Sequence, residues 1–163
     1  MVRKIASRFV AAAALSGLLA ACSSEAPADG AVATAEPPVI EERQDNFEAI
    51  GDAFKLIRGE MEKPAPDLAV VAAQASDINT RAMRIEGYFP AGTGRDAGHD
   101  TEALPAIWEK PEEFAAAHRK LVEESAKLVS LAEAGDAAAI GPQVMAMGGA
   151  CKGCHDQFRL AKQ

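Results

Sequence analysis

Several residue types are scarce in this chain, and each scarcity excludes something. Of 163 residues, three are cysteine, three histidine, one tryptophan and one tyrosine. A structural zinc site needs four ligands and usually two Cys or His clusters. Two cysteines and one histidine share a single pentapeptide, which leaves only Cys22, His99 and His118 for a second cluster. Basic residues are the minority, 17 against 24 acidic, for a net charge of −7. The first 39 residues hold three of each sign (Arg3, Lys4 and Arg8; Glu25, Asp29 and Glu36), so the remainder keeps the whole imbalance. That acidity argues against nucleic acid or an anionic membrane surface as a partner, and is compatible with a basic redox protein. No stretch after residue 40 alternates apolar and polar residues in the manner of a strand.

Against this background, Cys151-Lys152-Gly153-Cys154-His155 stands out. Two thiols three positions apart, followed at once by an imidazole, form the attachment pattern of c-type haem. Cysteines one helical turn apart can each make a thioether to neighbouring vinyl groups on one porphyrin edge. The next residue then lies under the ring, where its imidazole can bond the iron. Three other readings compete. A dithiol redox pair normally accompanies a strand–helix unit, which is not evident here. Zinc lacks its second cluster. Chance is disfavoured by the scarcity of both residue types.

The N-terminus reads as a targeting segment. Arg3, Lys4 and Arg8 precede an apolar run, Phe9 to Ala20, too short and alanine-rich for a membrane span. Leu19-Ala20-Ala21-Cys22 resembles the lipobox of bacterial lipoproteins, in which the cysteine is lipidated and becomes the first mature residue. Residues 1–21 are then a signal peptide and Cys22 a lipid anchor. The alternative is ordinary secretion with Cys22 near the cleavage site. Both export the chain to the compartment where c-type haem is attached; the lipoprotein reading gives a periplasmic protein held to a membrane through its lipid. Residues 22–39, rich in Ala and Pro, read as a flexible tether. With Cys22 on lipid and two cysteines on haem, no disulfide is expected.

Residues 40–163 suit one domain with one core. Four segments place apolar residues at steps of three and four. The first runs Ile40, Arg43, Phe47, Ile50, Phe54, Ile57, Met61; the second Leu68, Val71, Ala75, Ile78, Ala82, Ile85, Phe89. The third opens on Pro111-Glu112-Glu113, a good first turn, and runs Phe114, Ala117, Leu121, Leu128, Leu131, with Glu124 interrupting. The fourth follows Gly135-Asp136 and runs Ile140, Val144, Met147, Cys151, Cys154, Phe158, Ala161. Such spacing is the seam of antiparallel helices, and four of them make an all-α four-helix bundle. The 87–110 link should cross one end as an irregular loop in which Trp108 packs. Both cysteines fall on the buried seam of the last helix, so a haem would lie inside the bundle. Five Phe in residues 40–163 and many Ala leave room between helices for a porphyrin, although a dense Ala-rich bundle without cofactor fits the composition too.

Arg43 is the anomaly of the first stripe. A guanidinium on an apolar seam needs a partner; a haem propionate suits its two-pronged geometry, and water at the helix end is the alternative. Met61, Met83, Met145 and Met147 are read as core packing rather than as iron ligands. His99 is read as solvated and His118 as lying at the bundle edge.

Assembled, these residues resemble the cytochrome c′ family, the class II c-type cytochromes. The likeness rests on Arg43-Gln44, Phe89-Pro90-Ala91-Gly92-Thr93, Pro105-Ala106-Ile107-Trp108 followed by Phe114, and Cys151 to Arg159. It implies one covalent haem c on the C-terminal helix, with Cys151 and Cys154 as thioether anchors and His155 as the proximal iron ligand. Arg43 and Gln44 match positions near the propionates. Arg159 matches a basic residue close to the proximal face, and Phe47 the residue over the distal face. Low-spin members carry Met where this chain has Phe47, and phenylalanine has no lone pair to give iron. The resemblance therefore implies a five-coordinate, high-spin haem that binds nitric oxide and carbon monoxide, with no stable oxygen complex. The alternative is a low-spin, six-coordinate electron carrier serving a redox partner protein in an exported respiratory chain. An enzyme such as a peroxidase would need a distal acid–base pair, and only Arg43 lies within a turn of Phe47. Many members are homodimers through their first two helices, and the resemblance extends that pairing to this chain.

Overall fold

The computed structural model describes residues 36–161. The expected signal peptide, Cys22 and most of the tether lie outside the described residues. The described part holds four long helices and a one-turn fifth: α1 Pro38–Met61, α2 Leu68–Ala82, α3 Ala106–Glu109, α4 Pro111–Glu133 and α5 Ala137–Phe158. The all-α four-helix bundle is as expected, with α3 an addition inside the long link.

The ends of the helices follow from local chemistry. Pro38 opens α1 and Pro111 opens α4, where a missing backbone N–H costs nothing. Asp67 caps α2 by accepting from the N–H groups of Ala69 (3.0 Å) and Val70 (3.4 Å). Gly135, at φ 72°, turns the chain out of α4, and Asp136 caps α5 through the Ala139 N–H at 3.2 Å. The second stripe does not stay helical to Phe89. The α-helix ends at Ala82, and Ile85–Tyr88 continues as a tighter 3₁₀ turn. Phe89 precedes Pro90, which disfavours the helical region for it, and it adopts φ −123°, ψ 54°.

The first stripe divides. Ile40, Arg43, Asn46, Ile50, Ala53, Ile57 and Glu60 are buried, whereas Phe47, Phe54 and Met61 pack on the core from a partly exposed flank. Three seams of the bundle are closed: α1 on α2, α2 on α4, and α4 on α5. By contrast, α1 barely touches α5. They approach at Gly148, where an added Cβ would lie 3.3 Å from the Phe54 ring. Toward Phe47 on one helix and Cys151 on the other, the fourth seam stays open, and the site lies there.

Candidate cofactor site

The cysteine-bearing wall is α5. Cys151 and Cys154, one turn apart, are both half-buried against the hydrophobic core. Burial pushes the Cys151 thiol up, and pushes Cys154 up to about 11, with Cys151 beside it adding and Arg159 opposing. Neutral buried thiols are poor metal ligands and poor redox nucleophiles. Among the described residues no group of three or more His, Cys, Asp or Glu could hold a metal ion. The zinc and dithiol readings both lose support. A thioether is neutral and apolar, and suits the same surroundings.

His155 is half-buried beside them. Burial first, and the Arg159 charge second, hold its pKa below the ordinary value, against the opposite pull of Asp156 and Glu102. The imidazole is therefore neutral at physiological pH, with a lone pair free to bond iron. Beyond it the chain straightens. Arg159 bridges to Ala103, Leu104 N–H donates to Phe158 O (3.0 Å), and Leu160 N–H donates to Glu102 O (2.8 Å). The exposed Arg159 side chain stands 3.6 Å from the Glu102 carboxylate. This strap ties the end of α5 to the long loop, a pairing that sequence periodicity did not reveal.

The facing wall is α1 with the loop. Phe47 is partly buried and meets Phe89 at 6.3 Å between ring centroids. Arg43 is 3 % exposed, which removes the alternative that it reaches water at the helix end. Its Nη1 donates to Tyr88 O and Thr93 Oγ1 (both 3.3 Å), and its Nη2 to Thr93 O (3.0 Å) and Thr101 Oγ1 (2.8 Å). The charge also lies 4.8 Å above the Phe89 ring. Burial lowers its pKa, but a guanidinium stays charged at any physiological pH. Gln44, exposed, donates to Asp100 O at 3.1 Å. Arg43 and Gln44 thus hold the 88–101 loop to α1.

Other expectations are corrected. His118 is not at the edge: it is 9 % exposed, with Nε2 2.8 Å from Ala82 O and Nδ1 3.2 Å from Glu86. His99 is only partly exposed, with Nε2 3.1 Å from Gly92 O. Of the methionines, Met147 is fully buried and Met61 partly so, whereas Met83 and Met145 stand 57 % and 78 % exposed and pack nothing. Glu124, which interrupted the third stripe, is buried at the α4–α5 seam, where Gln143 Nε2 and Lys120 Nζ both approach it at 2.5 Å. Trp108 packs in the loop as expected, donating from Nε1 to Phe89 O at 3.0 Å. A groove of about 640 Å³ runs between α4 and α5 past Ala146, Gly149 and Gly153, but neither cysteine lines it.

Residues 38–159 match the family described as Cytochrome C′. The chain belongs to the cytochrome c′ family. Cytochrome c′ of Rubrivivax gelatinosus is 38 % identical over 120 residues, covering 74 % of this chain and 92 % of that protein. Its crystal structure superposes with a TM-score of 0.67, over 74 % of this chain and 94 % of that one. The nitric oxide complex of a variant of cytochrome c prime from Alcaligenes xylosoxidans aligns at a TM-score of 0.67 and 25 % identity, over 79 % of this chain and 99 % of that one. Membership carries one covalent haem c, and the local chemistry fits it: two neutral thiols, one neutral imidazole, and an open seam between α1 and α5.

Proposed function

We propose that this protein binds nitric oxide, and carbon monoxide less readily, at a five-coordinate haem c between α1 and α5. Cys151 and Cys154 would tether the group, His155 would bond its iron, and Phe47 would line the site from α1. When bound, the haem supplies an iron that can take a diatomic ligand and change oxidation state. The protein supplies everything else.

The observation that carries this reading is the set of groups around Phe47. Phenylalanine offers neither a lone pair nor a hydrogen-bond donor. The donors within a turn before it on α1 are committed elsewhere: Arg43 gives both terminal nitrogens to loop oxygens, Gln44 its amide to Asp100 O and Asn46 its amide to Arg81 O. Bound oxygen is polarised and needs a donor, whereas nitric oxide and carbon monoxide depend less on one. The same commitment removes Arg43 as a peroxidase-type distal acid and supports ligand binding rather than catalysis. Met61 lies on α1 about 21 Å beyond Phe47 at 1.5 Å per residue, and Met147 is on the cysteine-bearing helix itself. Neither is poised as a sixth ligand. Gln44 and Arg159 flank the propionate side and the proximal side. The sign of the chain's charge, −7, leaves a basic redox partner open as a second role.

Among the described residues no helix is long and apolar enough to cross a membrane. Export by the N-terminal segment, with Cys22 lipidated, would place the bundle in the periplasm on a lipid tether.

The test is an absorption spectrum of the exported, haem-loaded protein, ferric and ferrous, before and after nitric oxide. A high-spin ferrous spectrum that changes with the gas supports the proposal. A low-spin spectrum indifferent to ligands would mean a sixth protein ligand and an electron carrier instead.

A further inference from the structure

Phe89 is the hub of the aromatic groups in the loop. Four partners surround its ring: the Arg43 guanidinium carbon at 4.8 Å over the face, Phe114 at 4.9 Å edge-on, Trp108 at 6.2 Å and Phe47 at 6.3 Å. Its backbone is pinned as well. Phe89 O accepts from Trp108 Nε1 at 3.0 Å, and the preceding carbonyl, Tyr88 O, accepts from Arg43. Trp108 in turn has no freedom on the side of Gly94, where even a Cβ would come within 2.6 Å of its ring. Phe114 is backed by Phe158 at 5.3 Å, on the last turn of the cysteine-bearing helix. Three of the four neighbours are therefore fixed from behind. Phe47, on the partly exposed flank of α1, has Phe89 as its one aromatic neighbour among the described residues.

We infer that Phe89 is a positioning residue for gas binding: a rigid stop that limits how far the Phe47 ring can swing. The inference rests on the reading that Phe47 covers the open face of the haem. A ligand arriving on that face must displace the Phe47 ring, and displacement toward the loop meets a ring that cation–π and edge-to-face contacts hold in place. Phe89 itself touches no ligand in this arrangement. It acts through Phe47, so the ligand-binding barrier is set partly by a loop residue 42 positions away in the chain.

The experiment is carbon monoxide association with the ferrous, haem-loaded protein, measured by stopped flow for the parent, F47A, F89A and the double variant. Shrinking Phe89 opens space for Phe47, and F89A is expected to raise the association rate roughly fivefold, the scale of losing one aromatic pair. F89L, which keeps bulk but loses the ring, should give a smaller rise, and it decides the matter if F89A fails to fold. In the F47A background, F89A should add nothing. Three results overturn the inference. An unchanged rate in F89A and F89L, with F47A accelerated, leaves Phe47 as the cover and removes Phe89 as its stop. An equal acceleration by F89A in both backgrounds makes Phe89 part of the entry path rather than a support. An unchanged rate in F47A sinks the reading of Phe47, and the role of Phe89 with it.

Discussion

Arg43 and Thr101, 58 residues apart in sequence, meet at 2.8 Å through Nη2 and Oγ1, with both residues buried. This bond and its three companions make a charged side chain on the core face of α1 the organiser of the loop beside the site. A buried cation is retained because each of its terminal nitrogens finds an acceptor.

Truncating that side chain should therefore cost more than its packing. Arg43→Ala leaves the Thr93 and Thr101 oxygens and two carbonyls short of their donors, and about 3 kcal/mol of stability should be lost. Arg43→Lys should recover only part, since an ammonium cannot reach two hydroxyls and two carbonyls in one plane. Urea unfolding of the haem-loaded protein, followed at the haem band, measures both. Loss below ~1 kcal/mol in R43A would show that the loop holds itself.

The proposed site assigns covalent attachment to the two half-buried thiols. Cys151→Ala and Cys154→Ala are each expected to keep haem bound through acid–organic extraction, by the remaining thioether. The double variant should release it completely. Haem retained by the double variant would mean that the tether is elsewhere.

The identity of the residue at position 47 should decide coordination. Phe47→Met places a thioether where the ring now sits. The ferrous spectrum should turn low-spin, and carbon monoxide binding should slow at least tenfold. A spectrum that stays high-spin would show that position 47 does not face the iron.

His118 holds α4 to the end of α2, through Ala82 O and Glu86. His118→Ala should lose about 2 kcal/mol, from a small cavity and an unsatisfied buried carbonyl. The haem spectrum should be unchanged, because His118 serves packing. A variant with parent-like thermal stability would contradict the buried geometry.

Acid should weaken the bundle through two carboxylates. Lys63 and the Asp67 N–H hold Glu60 below its ordinary pKa of 4.5, and Lys120 and Gln143 do the same for Glu124. A carboxylate depressed in the folded state contributes stability that is fully present above its unfolded pKa. That contribution is lost as pH falls through the folded value. Stability should hold down to pH about 5 and then decline. Glu124→Gln should lower stability at neutral pH and flatten the acid limb, as urea midpoints taken between pH about 6 and 3 would record. An acid limb as steep as the parent's would place the proton uptake on other groups.

The spacing of Cys151, Cys154 and His155 made the cofactor legible, because attachment chemistry occurs within one helical turn and needs no partner from elsewhere. The four stripes were legible for the same reason: an apolar face at steps of three and four is a property of the local chain. So were the ends at Pro111 and Asp136, and the irregular link around Trp108. The boundary at Ala82 was missed because Ile85 and Phe89 keep the spacing, and Ile85 stays buried while the backbone tightens to 3₁₀.

What periodicity cannot carry is the partner across space. Nothing near Arg43 in the chain announces Thr93 and Thr101, and nothing near His118 announces Ala82 O. Nor does the stripe from Ile40 to Met61 say which of its residues turn to α2 and which flank the open seam. Those choices depend on how four helices share their faces and on which seam they leave unclosed. The sequence by itself determined the helices and carried the haem-attachment motif. Only the tertiary structure decided that Arg43 belongs to the loop, that the Phe89 ring meets Phe47, and that the gap lies between α1 and α5. The first set is written in residues within a turn of each other; the second rests on contacts between residues tens of positions apart, which form only when the chain has closed on itself.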